Sequence, residues 1–186
     1  MPMNFAIFAS GNGSNAQALI EYFSGRQLVP ALIVSNTPRA FVLQRAWQAG
    51  LPAYIHNSDE VALFSCLQAH DIRLIVLAGY LKLIPSFIIE NFPRAILNIH
   101  PSLLPKYGGK GMYGIKVHEA VLQAGECQTG FTIHLVNEKY DEGAILMQKT
   151  VDIPPGCKPD EIMLKVQELE RYHYPRFIET YAATLL

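Results

Sequence analysis

Cysteine is scarce in this chain. Its three cysteines, Cys66, Cys127 and Cys157, are odd in number and widely spaced. A disulfide framework is therefore excluded, and the missing C-x-x-C pair removes a cysteine zinc site. A reducing cytoplasm is the expected compartment. Charge of one sign is also lacking, since 15 Lys and Arg stand against 16 Asp and Glu. Without a basic excess the chain is not expected to bind nucleic acid. No apolar run reaches membrane-spanning length, so no membrane segment is expected. The start "MPMNFAIF" has no basic region and does not read as a signal peptide. Neither a G-x-S-x-G nucleophile elbow nor an H-E-x-x-H motif occurs, and no metal is expected. There is no repeat, low-complexity tract or interdomain linker, so residues 1–186 are expected to form one domain.

Short apolar runs alternate with helix-compatible stretches. The runs predict strands over 5–9, 31–34, 52–55, 74–78 and 95–99, with helices over 15–23, 40–49, 60–70 and 85–91 between them. Such alternation predicts an α/β fold, a mostly parallel twisted sheet flanked by helices. The pattern changes after residue 100. A Pro- and Gly-rich loop over 100–114 precedes a helix over 115–125. Two strand-like stretches, 129–137 and 144–153, follow and are expected to pair as antiparallel neighbours or an edge ribbon. The last 28 residues, 159–186, read as a helix that bends or restarts at Tyr174-Pro175.

The stretch Gly11-Asn12-Gly13-Ser14-Asn15-Ala16 joins the first strand to the first helix. Gly11 and Gly13 allow a sharp turn, and the helix start that follows presents free N–H groups. Ser14 and Asn15 add side-chain donors. A dinucleotide site needs an acidic residue at the end of the second strand. The sequence there is "LIVSNTPRAF", with no carboxylate, and after Glu21 the next acidic residue is Asp59. A mononucleotide or sugar phosphate is the favoured ligand. A tight turn without a ligand, and a dinucleotide held through Arg39, stay open.

The most informative segment is "RAILNIHPSLLPKYGGKG". Asn98 and His100 are two apart in an extended run, so both side chains face one way. They end a parallel strand, where open α/β sheets place their crevice. An amide donor beside an imidazole suits oxyanion stabilisation and proton transfer. A loop-capping histidine is the plainer reading. Asp141 in "EKYDEGA" is a candidate carboxylate partner, although Asp and Gly are also ordinary turn residues. His134 faces away from Ile133 and Leu135, and reads as a core residue or a support for the site.

These motifs carry a resemblance. "SGNGSN", "LNIHPSLLPKY" and "YDEGAILMQ" occur in this order in the phosphoribosylglycinamide formyltransferases, and the similarity runs from Phe5 to the C-terminal helix. The resemblance implies a Rossmann-like formyltransferase fold, with a phosphate-binding half over about 1–94 and a catalytic and folate half over about 95–186. It implies that the amine of 5-phosphoribosylglycinamide attacks the formyl carbon of 10-formyltetrahydrofolate, through a tetrahedral intermediate, in purine synthesis. Asn98 and His100 would stabilise the oxyanion. His100 would move a proton, and Asp141 would raise its pKa. Gly13, Ser14, Asn15, Gln167 and Glu170 would hold the ribonucleotide. Leu81, Lys82, Leu83, Ile84 and Asn98 would hold the folate co-substrate. The resemblance departs at "GGKGMYG", which reads only as a rim of the site. The partners implied are small molecules alone; oligomeric state is not legible. A formyltetrahydrofolate hydrolase, another formyltransferase and a non-catalytic nucleotide-binding module are the alternatives.

Overall fold

The computed structural model describes residues 2–185. Seven strands form one sheet: β1 (Met3–Phe8), β2 (Leu28–Ser35), β3 (Ala53–Ile55), β4 (Ile72–Leu77), β5 (Ile96–His100), β6 (Gln128–Leu135) and β7 (Ile145–Asp152). Their order is β3-β2-β1-β4-β5-β6-β7. The first five strands run parallel, while β6 and β7 are antiparallel to their neighbours. Five helices connect them, α1 (Ser14–Tyr22), α2 (Phe41–Gln48), α3 (Glu60–Ala69), α4 (Ser86–Asn91) and α5 (Ile115–Gln123), and α6 (Pro159–Ala182) follows β7.

The two-residue period of a strand explains the layers. On β1, Phe5 and Ile7 face a core shared with Ala16 and Leu19 of α1, Val42 of α2, and Val166 and Ile178 of α6. Ala6 and Phe8 face the opposite core, built with Leu63 and Leu67 of α3 and Ile88 of α4. Helices therefore cover both faces, which is why the central strands read as continuous apolar runs. The chain switches direction across the sheet between β1 and β4, and the loops leaving these two strands open a crevice there.

Two details depart from the sequence expectation. Strand β2 begins at Leu28, ahead of the predicted 31, and includes Pro30. A proline cannot donate to a ladder. The β1–β2 register shifts next to it, from Phe5↔Pro30 to Ala6↔Leu32. Helix α6 does not restart at Pro175; it runs unbroken over Pro159–Ala182, and a short 3-10 turn over Ala183–Leu185 follows. The remainder of the predicted helix, residue 186, lies outside the described residues.

Tyr174 fastens α6 to the sheet. Its ring is fully buried, and its hydroxyl donates to the carbonyls of Leu77 at 2.9 Å and Leu97 at 3.4 Å. Leu77 is the last residue of β4, and Leu97 precedes Asn98 in β5. Tyr174→Phe keeps the packing and removes the donor. It should cost about 1 kcal/mol, read as a lower urea midpoint with an unchanged slope.

Candidate active site

Only one turn of the glycine loop demands glycine. Gly13 has φ 75°, and a Cβ there would lie 2.6 Å from Val42 Cγ2. Gly11, expected to share that duty, has open space around it and no such φ. Gly13 is also the N-cap of α1, and no side chain caps this helix. The first amides of α1 are therefore free, which makes the loop an anion cradle. Its neighbours hold it in place: Ser10 N donates to Gly79 O at 2.9 Å, and Leu81 N donates to Ser10 Oγ at 2.8 Å.

The cradle opens into a cleft of about 530 Å³, which Gly13, Ser14 and Asn15 share with Asn98, His100, Asp141, Gln167 and Glu170. Asn15 Nδ2 donates to Glu170 Oε2 at 2.8 Å. Burial pushes the Glu170 carboxyl up to about 7, against the opposing pull of that bond. Gln167 and Glu170 are three apart on α6, so both face the cleft.

At the other end of the cleft, antiparallel pairing sets His134 of β6 opposite Asn98 of β5. Asp141 comes from the β6–β7 loop in a left-handed conformation, φ 57°, and accepts from Gly109 N at 2.9 Å. Its Oδ2 lies 3.4 Å from His100 Nδ1, and its Oδ1 lies 3.5 Å from His134 Nε2. Asn98 Nδ2 lies 3.0 Å from His134 Nε2 and donates to Asp141 Oδ1 at 3.3 Å. Hydrogen-bond chemistry assigns the protons. His134 Nδ1 faces the Leu135 carbonyl at 2.8 Å and so carries its hydrogen there, leaving Nε2 to accept from Asn98. His100 Nε2 faces the Tyr107 carbonyl at 2.8 Å and carries its hydrogen there. The lone pair of neutral His100 is thus on Nδ1, beside Asp141.

Burial lowers the pKa of His100; Asp141 pulls it back up, and the Tyr107 carbonyl adds to that pull. The net position is below the ordinary histidine value, so the expected rise is outweighed by desolvation. Burial works to raise Asp141, but the imidazoles of His134 and His100, in their protonated forms, and the Gly109 amide hold this carboxyl below its usual range. The exit from β5 is equally fixed. Thr132 Oγ1 donates to Ser102 O at 2.6 Å and accepts from Leu104 N at 3.0 Å.

The residues assigned to folate sit on the loop after β4. Leu81 and Leu83 are about half exposed, whereas Ile84 is buried in the second core. Lys82 Nζ reaches Ser58 Oγ at 3.5 Å. Lys82, Leu83 and Ile84 border a hollow of only about 40 Å³, shared with His134, Asn98 and Asp141. Two contributors were not singled out in the sequence. His118 on α5 is buried in the cleft wall with Nδ1 unpartnered, and burial followed by His100 pushes it down to about 4. Lys110 in the rim is the one lysine or arginine among the residues that line the cleft. No cluster of three or more His, Cys, Asp or Glu able to hold a metal occurs among the described residues, and no helix among them is long and apolar enough to cross a membrane.

Known proteins match this architecture. The family described as "Formyl transferase" matches residues 3–178. A phosphoribosylglycinamide formyltransferase of Haemophilus influenzae is 36% identical over 184 residues, covering 94% of this chain and 84% of the relative. The chloroplastic phosphoribosylglycinamide formyltransferase of Arabidopsis thaliana is 40% identical over 180 residues, covering 91% of this chain; the chain spans 62% of that relative's length. A solved phosphoribosylglycinamide formyltransferase from Coxiella burnetii superposes with a TM-score of 0.89 at 33% identity, covering 99% of this chain and 89% of that one.

Glu170 generates a pH prediction. A carboxyl whose folded pKa is raised adds stability below its unfolded value, and that stability is lost as pH rises through the folded value, here about 7. Glu170→Gln keeps the bond to Asn15 and removes the titration. The variant should melt several degrees above the parent at pH 8 and gain little at pH 5, measured by thermal unfolding.

Proposed function

The chain belongs to the formyl transferase family, and within it we propose that it transfers the formyl group of 10-formyltetrahydrofolate to the amine of 5-phosphoribosylglycinamide. One observation carries this reading: the anion cradle and the Asn98–His100–Asp141 cluster face a single cleft. A phosphorylated acceptor spans that distance with its phosphate on the free amides of α1 and the Ser14 hydroxyl. Asn15, Gln167 and Glu170 then meet its sugar, and its amine lies beside His100.

The folate co-substrate supplies an electrophilic carbonyl carbon. Leu81 and Leu83, apolar and left partly exposed by the fold, offer chemistry suited to a flat ring at the edge of the second hollow. As the amine attacks, negative charge grows on the formyl oxygen. Asn98 meets it by turning the hydrogen that it shares with Asp141, the longer of its two bonds. His100, with a lowered pKa and its lone pair on Nδ1, accepts the amine's proton. The imidazolium so formed is paired at once with Asp141, 3.4 Å away, and its proton passes to the departing folate nitrogen as the tetrahedral intermediate collapses and the bond between that nitrogen and the formyl carbon breaks. On this reading the half over about 1–94 carries the cradle and the half over about 95–186 carries the chemistry, with α6 reaching back to the acceptor.

A hydrolase would have no use for the phosphate cradle, and a binding module would have no use for a buried carboxylate between two histidines. The near-neutral charge and the three free thiols support small-molecule partners in a reducing cytoplasm. Loss of 10-formyltetrahydrofolate, followed by difference spectra, should require 5-phosphoribosylglycinamide. His100→Ala should lower kcat by roughly 10²–10⁴-fold and change the acceptor KM far less. Turnover without acceptor would instead identify a hydrolase.

A further inference from the structure

Asn12 is an exposed residue between the two glycines of the cradle, where a side chain would ordinarily rotate freely. Here it is held. Arg45, one turn along α2 from Val42, donates through Nε to the Asn12 carbonyl at 2.8 Å and through Nη2 to Asn12 Oδ1 at 2.8 Å. Its Nη1 reaches Gln17 Oε1 at 3.4 Å on α1. The guanidinium also lies over the Phe41 ring, 4.9 Å from its centroid, which limits its own motion. The same helix supports the loop through the backbone, with Val42 N donating to Gly11 O at 3.1 Å.

A guanidinium has donors and no acceptor. The amide atom that it holds must therefore be the oxygen, and the orientation of the Asn12 amide is settled by chemistry. Asn12 Nδ2 is turned away from Arg45, while Asn12 itself lines the cleft beside Gly13 and Ser14. Two N–H donors are thus fixed on a residue that lines the cleft one position before Gly13, the N-cap of α1. Arg45 stands behind the loop, adding positive charge without being among the residues that line the cleft.

Resting on the functional reading above, we propose that Asn12 is a further donor to the acceptor's phosphate and that Arg45 is the residue that positions it. Arg45 acts through Asn12 and through its charge; the backbone amides alone are an incomplete cradle. This pairing assigns a role in acceptor recognition to a residue on α2, outside the cleft lining.

The test compares 5-phosphoribosylglycinamide with the same acceptor lacking its phosphate, in the unmodified chain and in Asn12→Ala, Arg45→Met, Arg45→Lys and the double variant Asn12→Ala/Arg45→Met. The single variants Asn12→Ala and Arg45→Met should each raise the KM of the phosphorylated acceptor about tenfold and lower kcat by less. Each should cut the preference for the phosphorylated over the phosphate-free acceptor by a similar factor. Arg45→Lys, which keeps the charge and loses the fork, should fall between the parent and Arg45→Met. The double variant should exceed the worse single by less than the product of the two. A phosphorylated-acceptor KM within twofold of the parent in both single variants, or an equal loss with the phosphate-free acceptor, would overturn the proposal. Failure of the unmodified chain to use either acceptor would overturn the functional reading first, and this inference with it.

Discussion

The active end of the sheet depends on keeping one carboxylate ionised where little water reaches it. The Asp141 side chain is 11% exposed. Desolvation alone would drive it toward the neutral form. The Gly109 and Asn98 amides oppose this by donating to the carboxylate, and the imidazoles of His100 and His134 add to them when protonated. They come from β5, from β6 and from the loop that follows β5, and the two rings need their own support. The Leu135 carbonyl fixes the ring of His134, and the Tyr107 carbonyl fixes that of His100. Gly108 lies so close that a Cβ there would sit 3.2 Å from Asp141 Cβ. The glycine-rich rim is therefore part of the site's construction as well as its border.

The same cluster joins two hollows. The larger opens onto the free amides of α1; the smaller is bordered by Leu83, Ile84 and Val136 together with Lys82, Asn137 and Lys139. Asn98 and Asp141 belong to both. Two substrates, one in each hollow, would meet at these two residues, which is where a transfer reaction needs its proton and its oxyanion donors. The geometry thus explains why the antiparallel strand β6 matters. It is the strand that puts His134 opposite Asn98.

Much of the fold was legible in the sequence, because apolar runs of strand length separated by helix-period segments admit few architectures. The start of β2 was hidden by Pro30, and the unbroken α6 by Pro175, since both residues weaken the local signal that tertiary packing then overrides. At the site, Asn98 and His100 could be seen as a pair because strand spacing alone puts them on one side. Asp141 could not be told from ordinary turn chemistry until its left-handed backbone was seen to aim it at the histidines. His134 needed the strand register, and Glu170 needed a contact across 155 residues to Asn15. Long-range placements of this kind leave no periodic trace. The direction of the His100 shift was also out of reach, because it depends on how deeply the ring is buried as much as on its charged neighbour.

The central claim is that Asp141 is ionised and pulls on His100 from 3.4 Å, and a titration of His100 tests it most directly. The imidazole would be followed by NMR across pH in the unmodified chain and in Asp141→Asn. Removing the carboxylate leaves only the Tyr107 carbonyl to oppose burial, so the His100 pKa should fall further below the ordinary histidine value in the variant. An unchanged titration would contradict the account and take Asp141 out of the mechanism.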